Sequence, residues 1–230
     1  MVLAMLLAHL VGDYILQWDA LAAWKSRHLT GVLVHGSVVF LATWLFSLPF
    51  DPTWWRGVVF IGISHILIDG LQLYVRPAIT PLLRFTLDQV AHVAVIWVAL
   101  TMGGYLEVGR VTAVLAANIH NEHLMLILLG YAFITMPAWV IVKYVASGLV
   151  GGGPPQFPGR TNKYIEILER LLMTTFVALG QFFLIPVIVI PRLVSQWPEV
   201  TANKQTTLYL VELFASIVLA VGVGLLLRQL

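Results

Sequence analysis

The chain has 230 residues, of which 60% are hydrophobic and only 10% charged, and its mean hydropathy is +0.91. Soluble domains carry about 25% charged residues, so a water-facing globular enzyme is excluded, as is a disordered chain, which needs low hydrophobicity. A net charge of +2 without any Lys/Arg cluster excludes a nucleic-acid footprint, and the absence of cysteine excludes disulfides and thiolate ligands, leaving metal binding to His and to oxygen donors.

The first apolar stretch, Val2 to Trp18, has no basic n-region and no small-residue cleavage site, and it contains His9 and Asp13. It reads as a retained helix and not a signal peptide. Further spans are expected from Thr30 to Leu48, from Thr53 to Val75, and from Pro81 to Met102 before Gly103 and Gly104. Val108 to His123 is shorter and less apolar, and it reads as an interfacial segment. A fifth span runs from Leu124 to Val145 and is followed by a Gly/Pro-rich linker over 148–162. A sixth runs from Ile165 to Ile190, with Pro186 as a kink, and a seventh from Thr207 to Leu227. The expectation is an all-α, polytopic transmembrane helix bundle of about seven spans. It divides into a four-helix part over residues 1–102, the interfacial segment over 103–123, and three further helices over 124–230.

With the N-terminus outside and the C-terminus cytoplasmic, Lys25, Arg27, Arg76, Arg84, Lys143, Arg160, Lys163 and Arg228 lie at or near the cytoplasmic face. Arg56, Arg110, Arg192 and Lys204 lie outside, a bias of about two to one. A multi-pass protein of the cell inner membrane is expected. Trp18, Trp24, Trp54, Trp55 and Trp197 fall near span ends, as interfacial aromatics do.

Ionisable groups inside spans cost about 2.5–3.5 kcal/mol each on insertion. Yet the first four spans hold His9, Asp13, His35, His65, Asp69, Asp88 and His92. His9/Asp13 and His65/Asp69 are i, i+4 pairs, and Asp88/His92 is the same pair reversed. Such spacing puts both members on one helix face. Counted from the span ends at about 1.5 Å per residue, Asp13, His35, Asp69 and Asp88 sit roughly 8–9 Å deep, and His9, His65 and His92 roughly 14 Å. The chain reverses at each span, so the reversed order in the fourth is what aligns the two layers. All seven residues fall on the side of the first and third loops, which the charge bias makes cytoplasmic. HLVGDYILQ (His9 to Gln17) and HILIDGLQL (His65 to Leu73) also echo one another.

Four imidazoles and three carboxylates in two layers suit one or two divalent ions, Zn, Fe or Mn. Paired dications generate a nucleophile at neutral pH and clamp a phosphoryl group. The expected ligands are His9, Asp13, His35, His65, Asp69, Asp88 and His92, with Asp69 or Asp88 as the alternative general base. Gln17 and Gln89 flank the pairs as hydrogen-bond donors to the carboxylates. His28, His120 and His123 read as surface residues, and Glu166 with Arg170 as an i, i+4 salt bridge. Glu212 has no evident partner, and Gly151–Gly153 reads as linker.

HLVGDYILQ, the lone His35, SHILID (Ser64 to Asp69) and LDQVAH (Leu87 to His92) closely resemble a bacterial integral-membrane family catalogued as domain of unknown function 3307. Its typical pattern is H-x-x-G-D-F-x-x-Q, a helix with one His, S-H-x-x-x-D and D-Q-x-x-H. The resemblance covers about residues 1–100. IEILERLL (Ile165 to Leu172) and YLVELFAS (Tyr209 to Ser216) are weaker echoes of its later segments. Here the chain departs, with Leu208 where Glu is usual and Glu212–Leu213 in place of Gly-Thr. The family name implies no activity. The style of His and Asp pairs in short spans is similar to that of membrane-bound metal-dependent hydrolases.

The sequence therefore points first to a membrane-embedded, divalent-metal-dependent hydrolase of a lipid-borne ester or phosphoester, with the bilayer and a lipid substrate as partners. The alternatives are a metal-ion or proton transporter, since His and Asp chains also serve as relays, and a non-catalytic subunit holding haem or a pigment. Haem needs only one or two His, so the carboxylates argue against the last. The polar residues crowd one half of the spans, which argues against transport.

Overall fold

The computed structural model describes residues 1–75, 78–106, 123–151, 153–155, 157 and 160–230. All regular structure among them is helical. The helices are α1 (Val2–Leu10), continued by a π-helical turn Val11–Ile15, α2 (Asp19–Lys25), α3 (Leu29–Ser47), α4 (Trp55–Tyr74) and α5 (Pro81–Met102). They continue with α6 (His123–Ile134), α7 (Met136–Val150), α8 (Arg160–Ala178), α9 (Ile185–Ala202) and α10 (Thr206–Arg228). Of the expected interfacial segment over 103–123, residues 107–122 lie outside the described residues; 103–106 follow α5, and His123 opens α6.

Among the described residues, five helical stretches are long and apolar enough to cross a membrane: Leu29–Ser47, Trp55–Tyr74, Pro81–Met102, Phe182–Ala202 and Thr206–Arg228. The pair α6 and α7, bent by 44°, makes a sixth if it forms one span; Pro137 in the first turn of α7 sets the break. The expected count of about seven therefore falls to five or six. Val2–Ile15 is the first difference. At about 1.5 Å per residue it reaches roughly 21 Å, short of a hydrocarbon core of about 30 Å. The second lies in the expected sixth span, which is divided at Gly180 (φ +77°). Before the break, α8 carries Glu166, Glu169 and Arg170 and is too polar to qualify. After it, Pro186 stands in the first turn of α9, where a missing N–H costs nothing, and produces no mid-helix kink.

The chain forms two compact units, one of residues 1–79 with 84–132, the other of 80–83 with 133–230. In the first, α3 packs on α1, α2 and α4. Its apolar core joins Met1, Val2 and Met5 of α1 to Val58 and Ile61 of α4 and Ile96 and Leu100 of α5. The outer faces of these helices are apolar too, with Leu41, Leu45, Ile63, Leu67, Leu87 and Val90 exposed, as lipid contact requires. In the second unit, α10 packs on α7 and α8. Its buried face, Leu213, Ser216, Ala220 and Gly224, is dominated by small residues, which bring helix backbones close.

Gly12, one residue before Asp13, decides how closely α1 approaches α3. A Cβ there would lie 3.1 Å from the Cα of Val39 and 3.3 Å from its Cγ2. Gly31 does the same for α2, since a Cβ would fall 2.6 Å from the backbone N of Lys25. The two glycines let Asp13 and Lys25 reach the same space beside α3.

Candidate metal centre

The structure brings His9, Asp13, His35, His65, Asp69, Asp88 and His92 together inside the first unit. Asp13 comes from the π-helical turn, His35 from α3, His65 and Asp69 from one face of α4, and Asp88 and His92 from α5. His35 is fully buried, and His9, Asp13, His65, Asp69 and His92 are all under 9% exposed. Nε2 of His35 lies 2.9 Å from Oδ1 of Asp13 and 3.1 Å from Nε2 of His65. Nε2 of His65 lies 3.5 Å from Oδ2 of Asp69 and 3.8 Å from Oδ1 of Asp13, and Nε2 of His35 lies 3.6 Å from Oδ2 of Asp69.

Three of these donors, Asp13 Oδ1, His35 Nε2 and His65 Nε2, could hold a divalent ion. Ligands on a tetrahedron at about 2.0–2.1 Å from zinc stand about 3.3 Å from one another, and the separations among the three, 2.9–3.8 Å, bracket that value. Asp13, His35 and His65 form one group able to hold an ion, and His65, Asp69 and His92 a second, so the two share His65.

His92 is set up as a ligand by its own helix. Its Nδ1 donates to the backbone carbonyl of Asp88 at 2.9 Å. A carbonyl oxygen only accepts, so Nδ1 carries a proton and Nε2 is the ring nitrogen left to face a metal. That Nε2 is buried without a hydrogen-bond partner and lies 3.8 Å from Oδ1 of Asp69. His9 stacks on His92 at 5.7 Å between ring centroids, and His65 lies 4.3 Å from His92. Beyond the imidazoles is a cavity of about 10 Å³ walled by Met5, Val39, Ile61, Val95 and Ile96, which leads into the apolar core.

Around the carboxylates the polar contacts are dense. Gln89 Nε2 donates to Asp88 Oδ2 at 3.0 Å and to Asp13 Oδ2 at 3.4 Å, and its Oε1 lies 3.3 Å from Nε2 of His9. Gln72 donates to Asp88 and in turn accepts at its backbone carbonyl from Arg84 at 3.0 Å. Gln17 does not join these contacts; its buried Oε1 has no hydrogen-bond partner.

Sequence reasoning missed Lys25. It is the last residue of α2, and its Nζ lies 3.1 Å from Asp69 Oδ2 and 3.6 Å from Asp13 Oδ1. Burial disfavours its charge, but Asp13 and Asp69 beside it hold the ammonium above the ordinary lysine range. From sequence, Lys25 and Arg84 serve only as marks of membrane orientation; that Lys25 faces the cluster depends on the turn between α2 and α3, and Arg84 reaches it from the first turn of α5. Together with Asp69, Gln72 and Asp88 they line a cleft of about 280 Å³ against the cluster. His28 and His123 are exposed, and His120 lies outside the described residues.

The described residues thus define an all-helical protein with helices of membrane-spanning length and buried His/Asp groups able to hold a metal. The chain belongs to the family described as Protein of unknown function (DUF3307), whose model matches residues 1–126. No curated protein and no solved structure matches it.

Proposed function

We propose that this protein is a membrane-embedded, divalent-metal-dependent hydrolase of a lipid-borne ester or phosphoester. The observation that carries the reading is the junction of two features. Two His/Asp groups sharing His65 adjoin a cleft that presents Lys25 and Arg84 beside Asp69 and Asp88. An ion held by Asp13, His35 and His65, or by His65, Asp69 and His92, would supply a nucleophilic water near neutral pH and polarise the scissile group. His9, hydrogen-bonded through Gln89, completes the imidazole layer.

The chain's own residues supply the rest. Asp88 lies on the cleft and outside both ligand groups. Two glutamines hold its carboxylate, which fits a general base with a fixed orientation. Lys25 and Arg84 place positive charge where an anionic phosphoryl group would enter, which favours a phosphoester over a carboxyl ester. The cleft lies at the side of the cluster where α2 closes the first loop. A lipid headgroup reaches such a position from the interface. Transport fits less well, because the opposite side of the cluster gives onto Met5, Ile61 and Ile96 and not onto a second polar cleft among the described residues.

The test is elemental analysis of fresh, unchelated protein in detergent, combined with phosphate release from phospholipid in mixed micelles. One or two equivalents of Zn, Fe or Mn, with activity lost on chelation and restored by the metal, is the expected result. A metal content near zero overturns the reading.

A further inference from the structure

The second unit holds its own buried charge network, built from residues beyond the family-matched segment. Lys143 of α7 donates to Glu212 Oε2 at 2.6 Å and to Glu166 Oε1 at 3.3 Å. Arg192 of α9 lies 3.1 Å from Glu166 Oε1 and donates to Glu169 Oε2 at 2.5 Å. The expected Glu166–Arg170 pair makes no direct ion-pair contact among the described residues, although the charge of Glu166 still acts on Arg170. Arg170 instead donates to the carbonyl of Ile134 and to Ser216, each at 3.3 Å.

Lys143, Glu166, Arg192, Glu199, Tyr209 and Glu212 line a cavity of about 270 Å³. Two of its donors are incompletely satisfied. Neither Nε of Arg192 nor the hydroxyl of Tyr209 has a partner at full hydrogen-bond geometry, although the two side chains act on one another and are only 7% and 6% exposed. A buried donor without an acceptor is costly, so the pair marks where an acceptor oxygen completes the network. Arg192 also lies over the Tyr209 ring, 5.8 Å from its centroid, which keeps the two together. On the rim, the exposed Glu199 has no ion-pair partner among the described residues.

The charges restrict the occupant. Lys143 and Arg192, set among the carboxylates, oppose a bare metal cation. Glu166, Glu199 and Glu212, against only two cations, oppose a bare polyanion. A group carrying both signs satisfies both, with its anionic oxygen on Arg192 Nε and Tyr209 OH and its ammonium towards Glu199. The volume suits a headgroup, since drug-sized ligands occupy about 300–1,000 Å³. The cavity lies where α9 ends and α10 begins. Trp197 is exposed beside it, as aromatics at headgroup depth are, and Val187, Ile190 and Val194 present an apolar face along the same helix.

We propose that this cavity binds an amino-phosphate zwitterion, the phosphoethanolamine headgroup of a bilayer lipid. The site is independent of the metal centre and of the hydrolase reading.

The test is native mass spectrometry of the full chain in detergent with four probes: phosphatidylethanolamine, phosphatidylglycerol, soluble phosphoethanolamine and inorganic phosphate. Phosphatidylethanolamine should bind about tenfold more tightly than phosphatidylglycerol, which shares the phosphate and lacks the ammonium. Tyr209→Phe should weaken that binding roughly tenfold, the usual worth of a hydrogen bond to a charged group. It should lower the melting temperature in lipid-free detergent only slightly, because its hydroxyl has no partner at full hydrogen-bond geometry and only its contact with Arg192 to lose. Glu199→Gln, on an exposed rim, should fold normally and lose the preference for ethanolamine over glycerol. Binding of the lipid alone assigns the site to the bilayer. Equal binding of soluble phosphoethanolamine assigns it to a free zwitterion, and either result upholds the site. Equal affinity for the two lipids, inorganic phosphate matching phosphoethanolamine, or Tyr209→Phe binding like the parent would overturn it.

Discussion

Asp13 and His35 stand 22 residues apart on different helices, yet Oδ1 of one lies 2.9 Å from Nε2 of the other in a fully buried position. Gly12 eases this meeting, because a Cβ there would lie 3.1 Å from the Val39 Cα and press the π-helical turn away from α3 by a few tenths of an ångström. The pair supplies two of the three donors of the group Asp13, His35 and His65.

Removing one of them should empty the site. Asp13→Asn keeps the shape of the side chain and removes the charge that balances a dication. Changes to residues that merely orient ligands cost about 10–100-fold in metal affinity, so Asp13→Asn should exceed 100-fold. Elemental analysis after dialysis against a weak chelator reads this directly. Full retention of metal would remove Asp13 from the ligand set.

Asp69 and the two glutamines should differ in a graded way. Asp69→Ala should lose the metal outright. Gln89→Leu removes the contacts to Asp13, Asp88 and His9 and should cost about 10–100-fold in metal affinity or activity. Gln17→Ala should change little, since the buried oxygen it removes has no partner. A purely structural polar network predicts the reverse for Asp69. Without a metal, loss of a membrane hydrogen bond averages only about 0.6 kcal/mol. Bound metal and melting temperature, measured side by side, separate the two.

Gly12→Ala should destabilise the first unit by about 1–3 kcal/mol, the usual range for forcing an extra methyl into a packed helix contact. Gly70→Ala is the control. It is next to Asp69, but its Cβ would meet nothing nearer than Leu29 Cδ1 at 3.9 Å, and alanine is the better helix former by about 1 kcal/mol. It should melt no lower than the parent, whereas Gly12→Ala should melt lower and bind metal more weakly.

Much of the centre was legible because the membrane makes polarity rare. Seven ionisable residues in four apolar helices stand out against their background, and i, i+4 spacing tells which of them share a face. Lys25 and the α7–α10 network were not legible for the opposite reason. Most of their charges fall near the ends of the spans expected from sequence, where Lys, Arg and Glu are expected on topological grounds, whereas the structure puts Lys143 and Arg192 in mid-helix. Glu212 finds Lys143 across 69 residues, and no local spacing announces such a pair. The divided sixth span was obscured by length: Ile165 to Ile190 is apolar enough on average to read as one helix, while the break depends on the single positive φ of Gly180.

Lys25 offers the sharpest test of whether a metal belongs here. Its ammonium lies between Asp69 at 3.1 Å and Asp13 at 3.6 Å and neutralises them. If the cluster is only an ion-pair network, Lys25→Met leaves two buried carboxylates uncompensated, a change that typically costs about 3–5 kcal/mol. The side chain is 21% exposed, so solvent screening brings the figure towards the lower end. If a dication occupies the site, that charge is already balanced, and Lys25 competes with the metal for the same oxygens. Lys25→Met should then keep its metal, hold it as tightly as the parent or more so, and lose only a small part of its stability. Its phosphoester hydrolysis should fall through a raised KM, because the cleft has lost one of its two cations. The decisive measurement is melting temperature with and without added Zn. A large fall that Zn does not repair would show Lys25 to be structural and would count against the metal centre. A small fall, cancelled by Zn, identifies Asp13 and Asp69 as ligands.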